Sequence, residues 1–152
     1  MEGVNVVKLE TSVMIDRPAE EVWKFITDMP NSTKWDKYCL EAKQTSPGPL
    51  SVGTTFQLRR SRTPKNPTLR VTEYEPTARK LAFEFTSGPV NGTKQQFSVE
   101  TIEGKIRLTR TIDVKYAGFY KLIGPLATGM MRREAEADLG NIKRAVESAA
   151  QP

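Results

Sequence analysis

The sequence contains no histidine and a single cysteine, Cys39. The absence of histidine excludes a serine–histidine or cysteine–histidine catalytic pair within the chain, and it removes the commonest metal ligand. A lone cysteine excludes an intrachain disulfide and any CxxC site. We therefore expect no metal and no cofactor, and no motif assigns a catalytic residue.

No apolar run is long enough to cross a bilayer. The most apolar window, 117–131, is interrupted by Lys121, Gly124, Pro125 and Gly129, whereas a membrane-spanning helix needs about 20 apolar residues. The first five residues have neither the basic nor the apolar region of a signal peptide. The sequence therefore predicts a cytoplasmic protein without a transmembrane segment.

The positive charge is modest and scattered. Lysine and arginine total 23 against 18 acidic residues, which gives a net charge of +5. The densest basic cluster is 59–62, with Lys65 and Arg70 nearby. One explanation of this cluster is that its charges keep the edge of a sheet from pairing with another strand. Nucleic-acid binding would instead need a continuous basic stripe. We do not expect a nucleic-acid partner, but a protein-binding role of this surface stays open.

The residue pattern predicts one strand, two short helices, six more strands and a long helix. The first strand, 4–15, alternates apolar and polar residues. A helix follows from Pro18 to Thr27, and a further helical turn spans 31–35. The later strands are predicted at 38–45, 54–62, 69–75, 80–86, 94–101 and 105–114, and the last helix at 119–149.

Short glycine- and proline-rich turns separate the strands, which predicts an antiparallel sheet. A long, twisted sheet curls as strands are added, and one helix cannot fill its concave face at every level. With 152 residues, a single domain over 1–152 is expected. We predict an α+β fold in which a curved sheet of about seven strands wraps around the C-terminal helix and leaves an apolar cavity.

The segment 15–23, which reads IDRPAEEVW, carries a resemblance to a known superfamily. Asp28 and Trp35 follow at the expected distances, and VGTTF at 52–56 and TEYEP at 72–76 come later. Over roughly residues 5–148 the chain resembles the START-related, birch-pollen-allergen-like superfamily (SRPBCC), in its polyketide cyclase/dehydrase and lipid-transport branch. The resemblance implies a helix-grip fold with a deep apolar cavity, and a ligand such as a lipid or an aromatic polyketide.

Nine residues are candidates for contact with a ligand. The apolar candidates are Trp35, Phe56, Phe83, Phe85, Phe97 and Met130. Met130 is preferred on its helix because the periodicity predicts that it faces the sheet, and methionine adapts to varied shapes. Simple core packing remains the alternative for each of these side chains.

Three charged candidates share the strand parity of core residues. Arg60 and Arg110 are each predicted to point inward, so each needs an ion-pair partner or a place at the cavity mouth. Either could instead bind a carboxylate or enolate of a ligand. Glu73 has the parity of Leu69 and Val71 and would suit acid–base chemistry inside an apolar cavity, or an internal ion pair.

Three functions are consistent with these features. The leading hypothesis is a carrier or sensor of a hydrophobic small molecule, acting as a monomer or homodimer. The second is a polyketide cyclase or dehydratase that uses Arg60, Arg110, Glu73 or a tyrosine. The third is a protein-interaction module of the same fold. Whether the protein is an enzyme stays open at this point.

Overall fold

The computed structural model describes the backbone of residues 6–115 and 120–149 and the side chains of 8–115 and 128–148. Three elements open the chain: β1 (Val6–Ile15), α1 (Ala19–Thr27) and, after one 3-10 turn (Met29–Asn31), α2 (Ser32–Trp35). The remaining elements are β2 (Cys39–Gln44), β3 (Thr55–Arg60), β4 (Thr68–Glu75), β5 (Lys80–Phe85), a 3-10 turn (Gly88–Val90), β6 (Lys94–Ile102), β7 (Lys105–Lys115) and α3 (Tyr120–Ala149). The predicted positions 4, 5 and 119 lie outside the described residues.

The seven strands form one antiparallel sheet in the order β1-β7-β6-β5-β4-β3-β2. Tight turns enforce this arrangement. Between β6 and β7, Glu103 (φ 51°) and Gly104 (φ 81°) both have the left-handed backbone that a two-residue hairpin turn requires. The predicted α+β class, with a curved seven-stranded sheet, two short helices after β1 and a long last helix, is confirmed.

The core lies between the concave face of the sheet and two helices. On α3, Leu139, Ile142 and Val146 are at most 4% exposed. On α1, Val22 and Trp23 are buried as well. The Trp23 ring stacks on Tyr74 of β4 at a centroid distance of 6.0 Å. Burial of this apolar surface is the main force that holds α3 against the sheet.

A β-bulge reverses the side-chain parity of β4. Val71 is opposite Phe83, but Glu73 is opposite Ala82, so the pairing register shifts by one residue between Val71 and Glu73. A one-residue shift moves the following side chains to the other face of the sheet. The prediction that Glu73 points inward with Val71 is therefore wrong.

The register of α3 also differs from the sequence expectation. Met130 is 52% exposed, while Ala135 and Leu139 are buried. At 3.6 residues per turn, Met131 lies in line with Ala135 and Leu139, whereas Met130 is about 140° from Ala135 around the helix axis. The prediction that Met130 faces the sheet is therefore wrong, and its neighbour Met131 takes that place.

Replacing Leu139 by alanine should lower the free energy of unfolding by about 2–5 kcal/mol, because the loss of the buried side chain leaves a cavity. Met130→Ala on the same helix should change it by only about 0.5 kcal/mol, because the side chain is half exposed. Urea unfolding followed by circular dichroism measures both. Equal losses for the two variants would contradict this register of α3.

Candidate functional site

A partly open cavity of about 170 Å³ lies between the concave face of the sheet and α3. Its apolar wall is formed by side chains from four strands and from α3. These side chains are Leu9, Leu58, Phe83, Phe85, Ile112 and Met131. At one end, charged and polar groups from α2, β3, β6, β7 and α3 replace the apolar wall, so that the cavity is apolar along its sides and polar at that end.

The structure brings five of the nine candidate residues to this cavity. They are Trp35, Arg60, Phe83, Phe85 and Arg110. Phe56 and Phe97 are buried in the core cluster and do not line the cavity. Glu73 and Met130 are not brought to it, for the reasons of register given above. Contact of any of these side chains with a ligand stays a prediction.

Arg110 of β7 is the most enclosed charge at the site, with its side chain 8% exposed. Its guanidinium carbon lies 5.1 Å from the centre of the Trp35 ring and 5.5 Å from that of Phe97. Rings at this distance attract a cation through their electron-rich faces. The guanidinium is thereby held in place between α2 and β6.

Three hydrogen bonds fix the edge of the same guanidinium. Nε and Nη2 of Arg110 donate to Oε1 of Gln95 at 3.1 and 2.6 Å, and Nη1 donates to Oδ2 of Asp138 at 3.0 Å. A buried arginine would be costly without such partners. Arg110 therefore has the internal ion pair expected of it, but the acid is Asp138 rather than Glu73.

Asp138 is a carboxyl group with an unusual proton affinity. Burial raises its pKa from 3.8 to about 6, although the neighbouring Arg110 charge lowers it. The carboxyl is 17% exposed and lines the cavity. Near neutral pH it can therefore exchange a proton with a group bound beside it.

Arg60 closes the polar end from β3. Its Nε donates to Oδ2 of Asp36 at 3.1 Å, and its Nη1 donates to the carbonyl oxygens of Arg62 and Pro64 at 3.4 and 3.1 Å. Because these carbonyls belong to the loop between β3 and β4, the Arg60 side chain holds that loop over the cavity.

The same loop is tied to α3 by Arg62. Its Nη1 donates to Oε2 of Glu134 at 2.7 Å and to the Tyr38 hydroxyl at 2.6 Å. The guanidinium carbon also lies 4.8 Å from the centre of the Tyr38 ring. The loop, α3 and the segment after α2 thus meet at the edge of the cavity.

The arginine-rich stretch is largely neutralised by its own surroundings. Besides the two pairs above, Arg59 pairs with Glu41 at 3.5 Å and Arg70 with Glu84 at 3.4 Å. Of the basic residues singled out in this stretch, only Lys65 has no carboxylate partner among the described residues. This argues against a strongly cationic docking surface here.

Sequence reasoning missed Asp36, Gln95, Glu134 and Asp138. Two of these positions carried a usable signal. Gln95 has the strand parity of the buried Phe97, and Asp138 lies three residues after Ala135 and four before Ile142, both buried on α3. No pattern in the sequence indicates which acid pairs with which arginine, because the partners of Arg60 and Arg110 are 24 and 28 residues away.

Within the described residues, no group of three or more cysteine, aspartate or glutamate side chains could hold a metal ion. Among the helices in this part of the chain, none has the length and apolarity needed to cross a membrane.

The Asp138 carboxyl should titrate with a pKa of about 6, measured by carbon-13 NMR of the side chain. Arg110→Met should raise this pKa further, because the cation favours the ionised carboxylate. Since the pKa is higher in the folded than in the unfolded chain, the native state binds the proton more tightly. The contribution of Asp138 should therefore increase stability as the pH falls from about 7 towards 4, and Asp138→Asn should remove this dependence. A pKa near 4 in the folded protein would contradict this description of the site.

Solved structures with the same fold include two proteins whose names describe aromatase/cyclases. TTHA0849 from Thermus thermophilus is 14% identical, with a TM-score of 0.80 over 95% of this chain and 100% of that one. The Zhui aromatase/cyclase from Streptomyces sp. R1128 is 16% identical, with a TM-score of 0.78 over 97% of both chains. The di-domain ARO/CYC BexL of the BE-7585A biosynthetic pathway is 18% identical, with a TM-score of 0.78 over 96% of this chain and 48% of BexL. At these identities the likeness shows the helix-grip fold.

A search of curated protein sequences gives no significant match. The sequence profile of one family, described as polyketide cyclase / dehydrase and lipid transport, matches residues 6–147. Because this match covers nearly the whole chain, and the fold agrees with it, the protein belongs to the polyketide cyclase/dehydrase and lipid transport family of the SRPBCC superfamily.

Proposed function

We propose that the protein binds a hydrophobic small molecule in the cavity between the sheet and α3, as a carrier or sensor. The observation that carries this proposal is the incomplete use of the Arg110 donors. Three of the five N–H groups of an arginine donate here to Gln95 and Asp138. One N–H on each terminal nitrogen has no partner in the described part of the chain. A ligand oxygen at this end of the cavity would accept from them.

The size and lining of the cavity set the kind of molecule. A volume of about 170 Å³ is close to the roughly 150 Å³ of engineered apolar cavities that bind benzene. The side walls include Phe83, Ile112 and Met131, which favour an aromatic ring or a short alkyl chain. Family membership supports hydrophobic ligand binding in general terms. We therefore favour a ligand that buries about one ring and places a carbonyl or hydroxyl oxygen near Arg110.

Filling the cavity tests this proposal. Ala135 of α3 is 3% exposed and lines the cavity, so Ala135→Leu should occupy the space without adding charge. We expect 4-ethylphenol, which has one ring and one hydroxyl group, to bind the unmodified protein with a Kd of about 1 mM, which is typical of a ligand of this size. Ala135→Leu should weaken binding at least about tenfold, as measured by calorimetry.

Ala78→Leu is the matched control, because residue 78 is exposed in the turn between β4 and β5. Its affinity should equal that of the unmodified protein, and melting curves should show that both variants fold. Absence of binding to the unmodified protein, or equal affinity in Ala135→Leu, would refute binding in this cavity.

Catalysis of a polyketide cyclisation is the second candidate, and the Asp138–Arg110 pair is what favours it. The carboxylate of Asp138 would take a proton from a carbon between two carbonyls, and Arg110 would stabilise the enolate oxygen that results. The enolate carbon would then form a bond to the carbon of another carbonyl group farther along the chain. The oxygen of that carbonyl would receive the proton back from Asp138 and become a hydroxyl group. Loss of water from the resulting alcohol would complete the dehydration.

Turnover of a synthetic poly-β-ketone tests the catalytic candidate. Asp138→Asn should lower the rate by about 10²–10⁴ and should remove the limb of the pH–rate profile near pH 6, where Asp138 titrates. Glu73→Gln should have no effect, because Glu73 accepts a hydrogen bond from Gln96 on the convex face. Full activity in Asp138→Asn, or no turnover by the unmodified protein, would contradict this role.

A further inference from the structure

A second cleft of about 170 Å³ borders the polar end of the cavity. It shares four residues with the cavity: Asp36, Arg60, Glu134 and Asp138. The cleft's other lining side chains include Lys37, Tyr38 and Arg133. The shared residues thus form the boundary between an apolar cavity and an outer, charged cleft.

Each acid at this boundary is already neutralised by its own arginine. Asp36 pairs with Arg60 at 3.1 Å, and Glu134 pairs with Arg62 at 2.7 Å. Asp138 pairs with Arg110 at 3.0 Å. Each of these three carboxylates therefore has a counter-ion of its own.

Two cations of the cleft remain without a counter-ion. Lys37 and Arg133 line it and are exposed, and neither has a carboxylate partner among the described residues. The Lys37 ammonium lies 5.1 Å from the centre of the Tyr38 ring, which holds it beside the cleft but does not neutralise its charge. The outer cleft therefore carries an excess of positive charge next to an apolar cavity.

We propose that the outer cleft binds an anionic head group, such as a phosphate or carboxylate, of a ligand whose apolar part lies in the cavity. Lys37 and Arg133 would supply the charges, with arginine suited to two parallel hydrogen bonds to such an anion. This inference rests on the proposed ligand binding and narrows its ligand class to amphiphilic anions. Arg60 and Arg110 are not the head-group site, because their charges are balanced by Asp36 and Asp138.

A concave site favours a small head group over a protein partner. A volume of about 170 Å³ holds several atoms, since a water molecule takes about 30 Å³ in the liquid. The surrounding arginine stretch is paired with carboxylates, so it offers little attraction to a broad acidic surface. Because Lys37 and Arg133 are exposed, salt should weaken their attraction for the anion.

The test compares three probes by calorimetry at low salt: octyl phosphate, 1-octanol and inorganic phosphate. Octyl phosphate should bind about tenfold more tightly than 1-octanol, and inorganic phosphate alone should bind far more weakly than either. The preference for octyl phosphate should disappear in the double variant Lys37→Gln/Arg133→Gln. It should persist in the matched control Lys24→Gln/Lys43→Gln, which removes two exposed positive charges outside the cleft.

The outcomes separate this inference from the proposed function. Equal binding of octyl phosphate and 1-octanol would overturn the head-group site while leaving hydrophobic ligand binding intact. A preference that survives Lys37→Gln/Arg133→Gln would overturn the role of these two residues. Inorganic phosphate that binds as tightly as octyl phosphate would show a free-anion site instead of an amphiphile site. Failure of both octyl probes to bind would overturn this inference, and the proposed function would fall with it only if the aromatic probe of the cavity test also failed to bind.

Discussion

The buried guanidinium of Arg110 is the constraint on which the site depends. A charge in this position is stable only while its partners stay in place. Those partners come from three other elements: Trp35 from α2, Gln95 and Phe97 from β6, and Asp138 from α3. The need to satisfy one side chain therefore fixes the distance between the sheet and both helices at this end of the fold.

That spacing explains why apolar space and polar groups occur side by side. The helix cannot move closer to the sheet without displacing the Arg110–Asp138 pair, and the side chains along the walls leave about 170 Å³ unfilled. One helical turn before Asp138, Glu134 holds the β3–β4 loop through Arg62. These two acids, one turn apart on α3, thus hold the polar end of the cavity and its covering loop, and the same end borders a charged cleft.

Much of the fold could be predicted from the sequence because it depends on local patterns. Strand alternation, glycine and proline turns and a proline at the start of the first helix determine the order of elements, and antiparallel pairing follows from the short turns. The errors concern Glu73 and Met130, and both are errors of register. A bulge after Val71 reverses strand parity. On α3, Met130 lies five residues before the buried Ala135, whereas Met131 lies four residues before it and therefore shares its face.

The site itself was only half predictable. Inward parity correctly indicated that Arg60 and Arg110 need partners, since it follows from alternation along one strand. The identity of those partners did not follow, because Asp36 lies in the segment after α2 and Asp138 lies on α3. Which acid meets which arginine depends on how the helices cross the sheet. That crossing is a property of tertiary packing, and no repeat in the chain encodes it.

A crystal of the protein under xenon pressure would test the central claim directly, because xenon enters apolar cavities regardless of which ligand is natural. We expect a xenon atom in van der Waals contact with Phe83 and Ala135, between the sheet and α3. An interior that excludes xenon at this place, with side chains in contact across it, would contradict the presence of an apolar binding cavity.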